Sequence, residues 1–292
     1  MKYTELEDKI IIENLDSFSI SEVLECGQCF RFSKISENFY KVMAMDKQIY
    51  VNQENKNLEI YPCTTKEFED FWINYFDLNR DYGNIKKIIS KNDEIMKEAI
   101  NFADGIRLLN QDPFECIISF IISQNNRIPM IKKVIENLST SFGEEKTNKY
   151  GSYYAFPTLE VLNNISVEDI MTCKTGFRAK YIKDACSKLY DKTIDIDILK
   201  TYSTVEAKKI LMQINGVGEK VSDCVLLFSL EKYSSFPTDV WIKRIIEHLY
   251  FDGDSLKIEK IHSFAKEKWG EYAGFAQQYL FHYAKEKKIG KK

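Results

Sequence analysis

Lys220 and Asp239 are the two side chains whose types and spacing point to joint chemistry. Lys220 opens the strongly apolar stretch Val221 to Leu230, where a lysine packs poorly unless it extends into a cleft. A free lysine has a pKa of about 10.4, so only about one molecule in a few thousand carries the neutral amine at pH 7. Desolvation lowers such a pKa by penalising the cation, which is how amine nucleophiles are prepared. Asp239 follows one helix and the turn Phe236-Pro237-Thr238, so an antiparallel return brings it back toward Lys220. Facing one cleft, the pair could serve as nucleophile and as electrostatic stabiliser of a developing cation; the plainer alternative is a surface lysine and an ordinary helix cap. Gly216-Val217-Gly218 stands just before Lys220. Two glycines permit a tight turn between helices, and the first N–H groups of the second helix lack intrahelical partners, which makes an anion site that fits a phosphate. A bare turn between two packed helices would show the same residues.

The elements that must position these groups are legible from periodicity. Residues 28 to 61 read as antiparallel strands: Tyr40, Val42 and Ala44 alternate with other residues, as do Ile49 and Val51, then Leu58 and Ile60, with polar turns at Asp46-Lys47 and Asn52 to Asn57. From about Thr64 the period becomes helical, with Phe68, Phe71, Trp72, Tyr75 and Phe76. Pro113 to Ser123 is apolar on nearly every side, which predicts a helix buried in the middle of a domain, ending at Gln124-Asn125-Asn126. Val221 to Leu230 is a second such helix. Ile242, Ile245, Ile246 and Leu249 give an amphipathic helix with Asp239 as its N-cap. The expectation is an α+β chain: an N-terminal antiparallel β/α domain over 1–107, then an all-α domain over 108–292.

Composition removes several classes. No apolar run reaches the ~20 residues that span a bilayer, and the N-terminus is acidic where a signal peptide would be basic, so no membrane partner is expected. Seven cysteines at irregular spacing fit buried thiols in a reducing compartment. Cys26 and Cys29 form a lone C-x-x-C, while His248, His262 and His282 lie at the far end of the chain, so no metal site is expected. The net charge of −3, from 41 Lys and Arg against 44 Asp and Glu, excludes charge-driven coating of nucleic acid. The acidic excess is local. Residues 1–107 carry 14 Lys and Arg against 20 Asp and Glu, whereas the remainder carries 27 against 24.

Leu211-x-Gln-Ile-Asn-Gly-Val-Gly-Glu-Lys220-Val-Ser-Asp-Cys224 with Phe236-Pro-Thr-Asp239-Val resembles the helix-hairpin-helix, Gly/Pro-rich loop and aspartate signature of the DNA glycosylase superfamily. Phe102 to Asn126, Thr175-Gly-Phe-Arg-Ala-Lys-Tyr181, Trp269-Gly-x-Tyr-Ala-Gly-x-Ala-Gln277 and Gly27-Gln-Cys-Phe-Arg31 look like the 8-oxoguanine DNA glycosylase branch, in the expected order over nearly the whole chain. The resemblance implies an N-terminal sheet domain followed by a helix-hairpin-helix glycosylase domain. It implies a bifunctional enzyme, in base excision repair, that flips 8-oxoguanine out of double-stranded DNA, excises it through a Schiff base on Lys220 and cleaves the strand by β-elimination, with Asp239 stabilising the oxocarbenium-like sugar. The Gly27 carbonyl would meet the N7 hydrogen that distinguishes 8-oxoguanine from guanine. Gln277 would read the pairing edge, Phe281 would stack on the base, and Cys224 would pack near its opposite side. Asn125 would fill the vacated space, Arg178 would read the widowed cytosine, and Gly216, Val217, Gly218 and Pro237 would hold DNA.

Two positions depart from the pattern. Eukaryotic relatives carry a second cytosine-reading arginine where this chain has Met130, which predicts weaker discrimination by up to roughly 1 to 3 kcal/mol; Arg127 is the one candidate to compensate. Trp241 stands where a phosphate-binding histidine is usual. The four-cysteine iron–sulfur array of sister enzymes comes after the aspartate, and Cys224 is the last cysteine here, so no cluster or other cofactor is expected. The competing readings are a glycosylase for another lesion such as an alkylated purine, a non-catalytic DNA-binding module, and a helical scaffold; Gly27, Gln277 and Phe281 argue against the first, and Lys220 with Asp239 against the second. A monomer is expected, cytoplasmic in a prokaryote and nuclear in a eukaryote. The end KEKKIGKK reads as a solvated tail rather than a nuclear signal.

Overall fold

A computed structural model of the chain describes residues 1–289; the last three residues of the Lys-rich end lie outside it. The N-terminal part is a six-stranded antiparallel sheet in the order β1-β2-β6-β5-β4-β3, formed by β1 (Lys2–Leu6), β2 (Lys9–Glu13), β3 (Phe32–Ser36), β4 (Phe39–Ala44), β5 (Lys47–Glu54) and β6 (Asn57–Tyr61). The alternation in β4 to β6 is the buried face: Tyr40, Val42, Ile49, Val51, Leu58 and Ile60 are sealed from solvent. They pack on Ile20, Val23 and Leu24 of the Ile20–Glu25 helix and on Phe68, Trp72 and Phe76.

The sheet is wider than the periodicity showed. β1 exposes nearly every residue, and in β2 the run Ile10-Ile11-Ile12 masks an alternation in which Ile10 and Ile12 are buried. Pairing of β2 with β6, Ile10 opposite Ile60, places this hairpin in the sheet, a long-range contact that local pattern does not carry. A second hairpin, β7 (Glu145–Asn148) with β8 (Gly151–Tyr154), lies inside the helical part; its pairing is local, but neither strand buries a residue that would mark it in the sequence.

The remainder is helical. The Pro113–Ser123 helix begins at the Asp112 cap and buries Cys116 through Ile122 without a gap. It packs against the Glu219–Ser229 helix, where Phe120 and Phe228 stack with centroids 5.6 Å apart. The Val240–Tyr250 helix buries Ile242, Ile245 and Ile246, and the Ala273–Glu286 helix is buried along most of its length. The helices Tyr82–Ile89 and Glu94–Phe102 add Tyr82, Ile85, Met96 and Ala99 to this same helical core.

Two buried polar side chains from Gly27-Gln-Cys-Phe-Arg31 join the layers. Gln28 is sealed from solvent. Its Nε2 donates to the carbonyls of Val23 and Arg107, each at 2.8 Å, and its Oε1 accepts from Leu109 N at 2.8 Å. Arg31 pairs with Glu115 at 3.2 Å and also donates to the carbonyls of Met45 at 3.0 Å and Tyr154 at 2.9 Å. These bonds fix the backbone just before them, which is Gly27, against the helical core.

Candidate active site

Lys220 and Asp239 meet at one cleft. An outer cavity of about 390 Å³, in the size range of small-molecule sites, narrows to an inner slot of about 60 Å³; Gly27, Phe120, Lys220, Asp239 and Phe281 line both. Lys220 sits in the first turn of the Glu219–Ser229 helix with its Nζ 5.0 Å from the centroid of the Phe120 ring. Asp239 is the expected N-cap: its Oδ1 accepts from Trp241 N at 2.9 Å and Ile242 N at 2.8 Å, which leaves Oδ2 for the cleft. Among the described residues no ion pair joins the two, so the amine is not tied to the carboxylate in the free protein.

The inner slot gathers the expected base-recognition set. Gln277 is buried; its Nε2 donates to Pro237 O at 3.3 Å, and its Oε1 accepts from Gln278 Nε2 at 2.6 Å. Cys224 lines the slot, and burial pushes its thiol up to about 11 even though Lys220 alongside pulls it down. Gly27 has φ +86°, a conformation that only glycine adopts freely, and a Cβ built there would stand 3.3 Å from Phe281 Cε1. The Phe281 ring thus rests against the Gly27 backbone.

The residues expected on DNA surround the mouth and divide into free and engaged groups. Asn125 is exposed in a left-handed conformation, φ +47°, with Gln124 as the C-cap of the helix before it. Capping of that helix by an amide falls to the neighbour, Asn126, whose Nδ2 donates to Ile122 O at 3.2 Å. Arg178 is only 9% exposed, and its guanidinium donates to the carbonyls of Gln124, Asn125 and Thr175. In the free protein it therefore grips the turn that carries Asn125. Met130 and Trp241 are 48% and 41% exposed, and Trp241 and Arg127 line the outer cavity.

The hairpin behaves as its glycines suggest, with one exception. Gly216 has φ +80°, and a Cβ there would overlap the Tyr181 ring at 2.3 Å. Gly218 begins the Lys220 helix with no side-chain cap, so the amides after it face outward unpartnered. Val217, however, is buried and its N–H donates to Ile214 O at 3.0 Å, so neither its side chain nor its amide is available to a ligand.

Three residues at the site were not singled out by sequence pattern. Phe120 reads as ordinary core until the fold sets it beneath Lys220. Phe177 is 56% exposed beside Arg178, and the signal available was an aromatic residue directly after a glycine turn. Gln278 is a buried amide next to Gln277. All seven cysteines are free and buried, and burial pushes the Cys26 thiol up to about 12 and the Cys29 thiol up as well. Among the described residues no group of three or more His, Cys, Asp and Glu side chains is placed to hold a metal ion, and no helix is long and apolar enough to cross a membrane.

Comparison with known proteins places this geometry. Residues 10–117 match the family described as 8-oxoguanine DNA glycosylase, N-terminal domain, and residues 118–271 match the HhH-GPD superfamily of base excision DNA repair proteins. The chain is 30% identical over 271 residues to the N-glycosylase/DNA lyase OGG1 of Arabidopsis thaliana, covering 87% of this chain and 74% of that protein. Among solved structures it is similar to MBOgg1 in complex with a low-affinity DNA ligand, at 49% identity and TM-score 0.95, with 99% of this chain and 100% of that chain covered. It is equally similar in fold, at 42% identity and TM-score 0.95 over 99% of both chains, to the Clostridium acetobutylicum 8-oxoguanine glycosylase/lyase bound to duplex DNA with cytosine opposite 8-oxoguanine.

Proposed function

The chain belongs to the 8-oxoguanine DNA glycosylase family, and from that premise we propose how its own residues carry out the reaction. The enzyme is an N-glycosylase with an associated DNA lyase activity that removes 8-oxoguanine from DNA. The neutral amine of Lys220 attacks C1′ of the damaged nucleotide, and the glycosidic bond breaks with its electron pair leaving on the base, which takes up a proton. The N,O-acetal that remains opens by breaking C1′–O4′, with O4′ taking the proton from nitrogen, to leave a Schiff base. Loss of the proton from C2′ and departure of the 3′ phosphate then cleave the strand. Asp239, with Oδ1 locked by two backbone donors and Oδ2 toward the cleft, stabilises positive charge as it develops on the sugar.

The target base must leave the stack to reach this site. Asn125, free and exposed, occupies the gap, and the exposed Phe177 ring, against which the Arg178 guanidinium lies, meets the neighbouring bases. Arg178 turns from its carbonyls to the widowed cytosine. A base stacked on Phe281 and bonded to the Gly27 carbonyl requires that ring to move away from the Gly27 backbone. The uncapped amides after Gly218, with Trp241 and Pro237, hold the strand on either side. The protein acts as a monomer without a cofactor, on DNA in the cytoplasm of a prokaryote or in a eukaryotic nucleus. The division is proposed at 107/108 on the sequence, while the sheet itself ends at Tyr61 and the helices Tyr82–Ile89 and Glu94–Phe102 before the division pack into the helical core.

The observation that carries this reading is that Lys220 and Asp239 share one cavity with Gly27, Gln277 and Phe281. The test is borohydride trapping on a duplex carrying 8-oxoguanine. Wild type forms a covalent adduct and Lys220→Gln does not; an adduct of equal yield from Lys220→Gln assigns the nucleophile elsewhere.

A further inference from the structure

A residue lining the inner slot carries a buried acceptor that no protein donor in the free protein satisfies. Gln278 is 3% exposed and lines the slot with Lys220, Asp239 and Gln277. Its orientation follows from a chain of donors. Pro237 O can only accept, so Gln277 presents its NH₂ there at 3.3 Å; Gln277 Oε1 then faces Gln278, which must present its own NH₂, at 2.6 Å. The relay ends on Gln278 Oε1, a buried oxygen with no donor among the described residues. Buried side-chain acceptors without a protein partner are costly and uncommon, and one on a residue that lines a ligand pocket can be met either by a water or by a donor of the ligand.

We infer that Gln278 is a second base-reading residue, whose Oε1 accepts the exocyclic 2-amino group of 8-oxoguanine. The inference rests on the proposed function, since it needs a guanine-type base in the slot. Such a base brings N1–H and the 2-amino group on its pairing edge, and the 8-oxo form adds N7–H. The Gly27 carbonyl is assigned to N7–H. Gln277 Oε1 has one lone pair left after Gln278 and takes N1–H. The 2-amino group is the donor still without an acceptor, and Gln278 Oε1 is the acceptor still without a donor. An adenine-type base has neither N1–H nor a 2-amino group and leaves both amide oxygens unmet.

The test compares excision of 8-oxoguanine with that of 8-oxohypoxanthine, the same base lacking the 2-amino group, each opposite cytosine under single-turnover conditions. Wild type should prefer 8-oxoguanine by about tenfold, the worth of one buried bond left unmade. In Gln278→Met, which keeps length but offers only a weak thioether acceptor, and in Gln278→Ala, which offers none, that ratio should collapse to about one. If both substrates slow together in the variants and the ratio stands, Gln278 only holds Gln277 in place and the inference is overturned. A wild-type ratio near one overturns it without any variant, so a variant that fails to fold does not shield it. A wild type that removes neither base refutes the proposed function instead.

Discussion

Replacing Gly27 with alanine separates reading of the base from stability of the fold. The perturbation has two parts. At φ +86° an alanine costs about 1 to 2 kcal/mol relative to the regions it prefers. The added Cβ would also sit 3.3 Å from Phe281 Cε1, close enough that the ring or the backbone must shift by a few tenths of an ångström. For a chain of 292 residues the first part lowers the melting temperature by roughly 2 to 3 °C. The second moves the carbonyl and the stacking ring that are to grip the lesion, and small misplacements of such groups cost on the order of tenfold to a hundredfold in rate. Gly253→Ala is the control: its φ is +89°, and a Cβ there meets nothing within 4 Å. Both variants should melt lower by similar amounts, and only Gly27→Ala should excise 8-oxoguanine slowly. Cleavage at a pre-formed abasic site, which needs Lys220 but no base pocket, should survive in both. If Gly27→Ala keeps wild-type excision, or loses abasic-site cleavage in the same proportion, the carbonyl assignment is wrong.

Met130→Arg, at a position 48% exposed, should restore a cytosine contact and raise the preference for cytosine over adenine opposite the lesion by about tenfold; an unchanged ratio of excision rates refutes that. Arg31→Met strands Glu115 as a buried carboxylate and should cost about 3 to 5 kcal/mol in urea unfolding, whereas Arg31→Met with Glu115→Met should cost clearly less. His262 Nε2 donates to Thr238 Oγ1 at 3.1 Å, because that hydroxyl gives its own proton to Phe236 O, and burial lowers the His262 pKa from 6.5, with Asp223 opposing and Lys208 assisting. Burial lowers His282 in the same way. The unfolded chain therefore takes up these protons first, so the stability they confer is present above pH 6.5 and is lost as pH falls through the lower folded values. Urea midpoints should drop between pH 7 and about 5, and less so in His262→Gln.

The parts of this molecule that local chemistry dictates were readable in advance. Pro113–Ser123 was bounded by a proline at its start and polar residues at its end, and Asp239 declared itself as a cap by the offsets of Ile242, Ile245 and Ile246. What stayed hidden depends on distant partners. β1 and β2 form a hairpin whose β2 pairs with β6, and no periodicity in Lys2–Leu6 announces it. Arg178 and Asn125 illustrate the same limit at the site: sequence supplied both residues, but only the fold shows the guanidinium bound to the carbonyls of the turn it would have to release. Val217 belongs to a hairpin that was legible, yet its burial was not, because a valine between two glycines gives no sign of which way it faces.

The use made of arginine bears on how the protein meets DNA. The chain has six arginines. Arg31 is held by Glu115 and two carbonyls, Arg80 by Asp77 and Tyr233, Arg107 by the carbonyls of Ser17, Asp77 and Asp16, and Arg178 by those of Gln124, Asn125 and Thr175. Arg127, which lines the outer cavity, and Arg244, whose guanidinium lies 5.7 Å from the centroid of Trp241, are the two left near the cleft. Phosphates must then be met by these two, a few lysines and the amides after Gly218, and an amide displaces no counterion as a cation does. With about four neutralised phosphates, affinity for undamaged duplex should fall with a log–log salt slope near −4, since each contributes about −0.9. Titration of an undamaged duplex over a range of salt concentrations measures the slope. A value steeper than about −7 would mean that many more of the chain's lysines than the few near the cleft sit on the phosphates, and would overturn the reading that backbone amides carry much of the contact.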